Sequence, residues 1–205
     1  MLLVNGCSHI AGSEADTNVG ILFAKELGHD LVNIAEPGGG NQRILRSTIE
    51  YIEQNEKPDF VLIGWTTHER FEFSFNGERR NYTLDKQSEN RYLHKFYRYA
   101  DLHLADWEIG EENTILNQYL LQLYLESKRI DYMYCNMFNS INPKNQSVLW
   151  KQINKDKYLT SNTSLIEDAM DEFTEGWSNT KHAVDPKIHQ SMTDKLLEYY
   201  RSNYV

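Results

Sequence analysis

The chain has 205 residues, 40% of them hydrophobic and 12% aromatic, which suffices to bury one substantial core and fits a single domain over 1–205. Its formal net charge of −9 argues against a broad nucleic-acid surface, because phosphate binding needs clustered cations. No run approaches the roughly 18–20 apolar residues of a membrane helix, so no membrane partner is expected.

The elements follow in order. Residues 2–13 read LLVNGCSHIAGS, a short apolar run that ends in Gly6 and is followed at once by Cys7, Ser8 and His9. That layout predicts a first strand with a serine hydroxyl at its C-terminal end. Asp16 to Leu27 reads as an amphipathic helix stopped by Gly28, and Leu31 to Ala35 as a second strand. The loop EPGGGN must turn tightly, and Asn41 is placed to cap a helix running to about Gln54. Phe60 opens FVLIGW, whose continuous apolar run suggests a strand buried on both faces, as in a parallel sheet.

Beyond Arg70 the pattern changes. FEFSFNGERRNYTL alternates apolar and polar residues around Asn76 and Gly77, a strong hairpin signal, and an insertion over about 71–110 is expected. Ser88 to Trp107 and Glu111 to Lys128 read as helices, Asp131 to Phe138 as a fourth strand, and Pro186 to Tyr200 as a closing helix capped by Asp185. Asn139 to Lys181 is polar, weakly periodic and carries no assignment. Strands alternating with helices predict an α/β fold, a flavodoxin-like three-layer sandwich around a mostly parallel sheet. Cys7 and Cys135 both fall at strand positions, where small buried thiols are expected rather than a disulfide or a zinc site.

Four segments stand at predicted strand ends or at the start of the last helix: GCSH, EPGGGN, GWTTHER and KHAVDPKIH. In a parallel sheet those ends share one edge, where ligands bind. Serine chemistry needs a nucleophile, an imidazole to take its proton and fixed donors for the oxyanion, and these segments hold candidates for each. Ser8 is a candidate nucleophile, or else merely a helix cap. His9 and His68 could contact substrate, but a lone loop histidine is more often a surface residue. Arg70 and Glu72 could pair beneath the hairpin or gate a polar substrate. The aromatic series Tyr92, Phe96, Tyr97, Tyr99 and Trp107 could stack on sugars, although such spacing more often marks core. His94 and His103 have no acidic partner at metal-ligand spacing, so neither metal nor cofactor is expected.

In these segments the chain resembles the SGNH/GDSL hydrolase superfamily, in particular a phage and marine-bacterial branch. The matching residues are Gly6, Cys7 and Ser8; Asn33, Ala35, Pro37, Gly38 and Asn41; Trp65, Thr66, Arg70 and Glu72. The likeness covers about the first 72 residues and the last 25. It implies an esterase or deacylase acting through an acyl-serine on a small-molecule or carbohydrate ester, such as an O-acetylated sugar. Ser8 would be the nucleophile, with its own N–H and that of Gly38 as oxyanion donors. The superfamily's third donor is an Asn in a Gly-Xaa-Asn motif, where this chain has Thr66; Asn41 is a possible substitute.

The superfamily's base lies just before the last helix, a place His182 occupies, with His189 as the alternative. The usual Asp two or three residues upstream is replaced by Asn179 and Thr180, which leaves Asp185 as the nearest carboxylate. A catalytically weak or inactive binding or virion-associated protein of the same fold, and acyl transfer in place of hydrolysis, both fit these residues. The N-terminus lacks a basic and apolar export signal, so a cytoplasmic location is expected, in a host cytoplasm or virion if the chain is phage-encoded.

Overall fold

In the structure, a computed structural model that describes residues 1–12, 15–83, 88–103, 107–138, 147–159, 164–178 and 182–205, the chain opens with β1 (Leu2–Asn5) and the one-turn helix α1 (Ser8–Ala11). Then come α2 (Val19–Leu27), β2 (Leu31–Asn33), α3 (Asn41–Gln54) and β3 (Phe60–Trp65). A hairpin of β4 (Phe71–Phe75) and β5 (Glu78–Tyr82) precedes α4 (Arg91–His103) and α5 (Trp107–Ser127). The chain closes through β6 (Asp131–Asn136), α6 (Val148–Gln152), a 3-10 turn at Lys155–Lys157, β7 (Tyr158–Leu159), α7 (Leu165–Glu172) and α8 (Pro186–Tyr204).

Five strands pair in the order β2-β1-β3-β6-β7, every pair parallel. Side chains alternate across a strand, so one run feeds two cores. Leu2, Val4, Phe60 and Leu62 meet Phe23 of α2 and Leu196 of α8 on one face. Leu3, Val61 and Ile63 meet Ile44 of α3 with Leu121 and Leu125 of α5 on the other. The result is the expected α/β three-layer sandwich. Strand order reverses direction at β1, between β2 and β3, so a crevice opens beyond the carboxyl ends of β1 and β3.

Side chains shift several boundaries. Asn18 accepts a hydrogen bond from the Ile21 amide, so α2 starts at Val19 rather than near Asp16. Asn33 accepts from the Ala35 amide and turns the chain, ending β2 two residues early. Gly40, not Asn41, is the N-cap of α3. The hairpin forms as expected, with Asn76 (φ 53°) and Gly77 (φ 79°) both in the left-handed region that two-residue turns require.

Tyr82 of the hairpin packs with Leu93, Tyr97 and Ala100 of α4, so the aromatic series there is partly core, while Tyr92 and Tyr99 are exposed. The stretch 139–181 contributes α6, the edge strand β7 and α7. Cys7 and Cys135 are both buried and unbridged. Among the described residues no helix is long and apolar enough to cross a membrane.

Candidate active site

Ser8 is the first residue of α1, with Cys7 as N-cap. The amides of Ile10 and Ala11 bond to the Cys7 carbonyl at 3.1 and 2.9 Å. Those of Ser8 and His9 carry no hydrogen bond among the described residues, as expected for a first helical turn, where such amides are available to an anion. The helix packs closely on the sheet edge because two glycines allow it. A Cβ at Gly6 would stand 2.8 Å from both the Gly64 carbonyl and Ile10 Cγ1, and one at Gly64 would meet Ile10 Cγ1 at 2.6 Å.

Buried amides then lock the position. Asn33 Nδ2 donates to the Ile10 carbonyl at 3.0 Å, tying the end of β2 to α1. Asn5, the last residue of β1, donates to the Ile44 carbonyl, Ser47 Oγ and Thr48 Oγ1 of α3, and accepts from the Gly6 amide and Arg43 Nη1. Arg43 in turn donates to Glu36 Oε2 and the Ile34 carbonyl, holding the glycine-rich loop. Ser8 itself is 5% exposed, and its hydroxyl makes no hydrogen bond among the described residues.

The same loop presents Gly38 with φ +73°, a conformation that favours glycine. Its amide has no hydrogen-bond partner among the described residues, and the loop is tied to the residue after β1 through the Glu36 amide, which donates to the Gly6 carbonyl at 3.2 Å. Asn41 has another task. Its Nδ2 donates to the Thr66 carbonyl and to Thr114 Oγ1, at 3.1 and 3.0 Å, while its Oδ1 accepts from the Thr66 amide. Both amide protons are committed, so Asn41 clamps the end of β3 and has no proton left for an oxyanion. Thr66 is buried, and its hydroxyl accepts from Arg70 Nη1 at 2.9 Å.

The two late histidines face different partners. His189, within α8, is buried, and its Nε2 lies 3.0 Å from the Ala183 carbonyl, where a neutral ring donates. His182 sits in the preceding loop, which a single β-bridge between Trp177 and Ala183 folds back on itself. The Ser178 amide donates to the His182 carbonyl and the His182 amide to Ser178 Oγ, which orients the backbone. Its ring packs at 5.0 Å between centroids against the ring of His9, the residue next to Ser8. Asp185 caps α8 as expected, Oδ1 accepting from the Lys187 amide at 2.8 Å. Asn179 and Thr180 lie outside the described residues.

His9 corrects the expectation of a surface histidine. It is 3% exposed, wedged between the rings of His182 and Phe138, with Nδ1 buried and unpartnered. Burial first, then the neighbouring His182, Arg70 and His189, push its pKa down to about 3, so it is neutral wherever the site would work. His68 and His189 are also held below the ordinary histidine value, mainly by burial. Among the described residues no group of three His, Cys, Asp or Glu side chains is placed to hold a metal ion.

Residues 7–153 match a family described as "Family of unknown function (DUF6071)". The chain belongs to that family. Among curated proteins, none matches it in sequence. Solved structures do match this DUF6071 chain across nearly its whole length. The psychrotrophic esterase EstA from Pseudoalteromonas sp. aligns with TM-score 0.58 and 15% identity, over 98% of this chain and 96% of the esterase. A protein of the G-D-S-L family from Desulfitobacterium hafniense DCB-2 aligns with TM-score 0.57 and 13% identity, over 97% and 98%. A catalytic variant of Axe2, an acetylxylan esterase from Geobacillus stearothermophilus, aligns with TM-score 0.50 and 15% identity, over 97% and 92%. At such identities the likeness is one of fold, and the fold of this DUF6071 chain is that of the SGNH/GDSL hydrolases.

Within that fold, sequence reasoning undervalued His9 and Arg70. For His9 the available signal was its place directly after Ser8, at a strand-to-helix junction. For Arg70 it was the spacing of four from Thr66. Glu72, the other half of the expected pair, instead binds Arg46, with Nη2 and Nε at 2.7 and 3.1 Å from its two oxygens.

Proposed function

We propose that the protein is an SGNH-type serine esterase or deacylase that attacks a small ester, such as an O-acetyl group on a carbohydrate, through an acyl-Ser8 intermediate. The observation that carries this reading is the packing of the His182 ring on His9, which brings the loop before the last helix to the residue adjoining Ser8. Ser8 Oγ would attack the carbonyl carbon and give its proton to His182, while the amides of Ser8 and Gly38 donate to the oxyanion. His182 would then protonate the departing alcohol oxygen, and water would release the acid by the same steps reversed in role. His182 is preferred to His189 because Nε2 of His189 is engaged by the Ala183 carbonyl.

A second reading, a weakly active or inactive binding member of the fold, is favoured by two side chains already in use. Asp185 spends Oδ1 on its helix cap, and Asn41 spends both amide protons on β3 and α5. Turnover of 4-nitrophenyl acetate separates the two. The esterase reading expects hydrolysis that Ser8→Ala abolishes; hydrolysis equal in wild type and variant contradicts it.

A further inference from the structure

Arg70 lies between the end of β3 and the hairpin, and it is half-buried. Nη1 donates to Thr66 Oγ1, and Cζ stands 5.4 Å over the ring of Phe138, whose centroid lies 4.8 Å from that of His9 in a T-shaped pair. Thus its cation is fixed beside the candidate serine site on two sides. Among the described residues it has no carboxylate within ion-pair distance. The two nearest acids in sequence are occupied elsewhere. Glu72 is held by Arg46, and Glu69 accepts from the Thr67 hydroxyl and stands 3.6 Å from His68 Nε2.

A partly dehydrated guanidinium without a counter-charge is an expensive feature that an anion would relieve. Its planar fork has N–H groups left over after Thr66, suited to two-point binding of a carboxylate. Arg70 also lines a cavity of about 270 Å³ together with Gln42, Asn113, Asn117 and His68, and the two engaged carboxylates Glu69 and Glu72 stand on the same wall. Gln42 receives the Glu72 amide on its oxygen, which leaves its NH₂ as a further donor. Such amides suit hydroxyl groups. With a net charge of −9, the chain as a whole repels anions, so selection for one must come from a local contact of this kind.

We propose that Arg70 is an anion subsite and that the substrate of the Ser8 site carries a carboxylate near its ester, as an O-acetylated uronic acid sugar does. The proposal rests on the esterase reading, and the experiment keeps the two apart. Methyl glucuronoside and methyl glucoside, each acetylated at the same hydroxyl, are compared as substrates of the full chain. Wild type is expected to favour the acid by about tenfold or more in kcat/KM, mostly through KM. Arg70→Gln should bring that ratio close to one, and Arg70→Lys, which keeps the charge and loses the fork, should retain part of it.

A ratio near one in wild type, or one unchanged in Arg70→Gln, overturns the proposal. If neither ester is turned over, the esterase reading fails by itself and binding decides the subsite. Calorimetric titration with unacetylated methyl glucuronoside should then show binding that methyl glucoside lacks and that Arg70→Gln abolishes. No binding of the acid, or equal binding by wild type and variant, overturns it. Should Arg70→Gln fail to fold, Arg70→Lys takes its place in both arms, with a fall in the preference as the supporting result and no change as the contrary one.

Discussion

The two sides of the candidate site are built differently. On the serine side, Asn5, Asn33 and Arg43 tie β1, β2, α1 and α3 together through buried hydrogen bonds, and two glycines seat α1 directly on the sheet. On the histidine side, among the described residues, a β-bridge between Trp177 and Ala183, bonds between Ser178 and His182 and two amides on the Gly176 carbonyl shape a loop. The contrast shows that presenting the serine is a property of the sheet and its flanking helices, whereas the histidine is carried by a loop that joins the core through Trp177 and Ala183 and touches His9 through its ring. Mutations on the two sides should therefore fail in different ways, through stability on the first and through rate on the second.

The largest effect is expected on the loop side. His182→Ala should lower ester turnover about a thousandfold, within the range for loss of a general base, while the urea midpoint barely moves. Full retention of activity would remove His182 from the site. On the serine side, Asn5→Leu leaves the Arg43 guanidinium and the Gly6 amide without their shared acceptor, and a loss of about 3 kcal/mol by urea unfolding is expected. Gly64→Ala should cost about 2 kcal/mol, because the new methyl displaces Ile10 and with it the helix that begins at Ser8. A smaller loss with unimpaired activity would mean that α1 tolerates the shift.

Acid sensitivity joins the two sides. The folded state holds the His9 pKa at about 3 against an ordinary 6.5, so between these values the unfolded chain binds the extra proton. Stability contributed by this residue is full above pH 6.5 and falls by about 1.4 kcal/mol per pH unit as the solution is acidified toward pH 3. His9→Phe, which keeps a ring against His182, should flatten that slope by the same amount in parallel unfolding series. The smallest effect expected is that of Asp185→Ala, about 1 kcal/mol from a lost cap and little change in rate. A rate loss near ten thousandfold would instead make Asp185 the acid that orients His182.

How far the sequence was legible follows the same division. Apolar runs closing on Gly6 and Trp65, the Asn76–Gly77 turn and the Asp185–Pro186 helix start are local signals, and the sheet, hairpin and closing helix were readable from them. The edge strand β7 was not. It has two residues and is held by a Tyr158 hydroxyl that donates to Asn136 and accepts from Gln118, partners 22 and 40 positions away. Asn41 looked like a cap because its partners Thr66 and Thr114 lie 25 and 73 positions on. Ser8 stood out because a strand end with a serine is a pattern within a few residues. The burial of His9 depended on Phe138 and the late loop, which only the folded chain brings near.

Covalent labelling tests the central claim most directly. Incubation of the full chain with a fluorophosphonate, followed by peptide mapping, should place one phosphonyl adduct on Ser8, formed much more slowly in His182→Ala and absent from Ser8→Ala. A chain that stays unlabelled, or that carries the adduct at another residue, would contradict the assignment of Ser8 as an activated nucleophile.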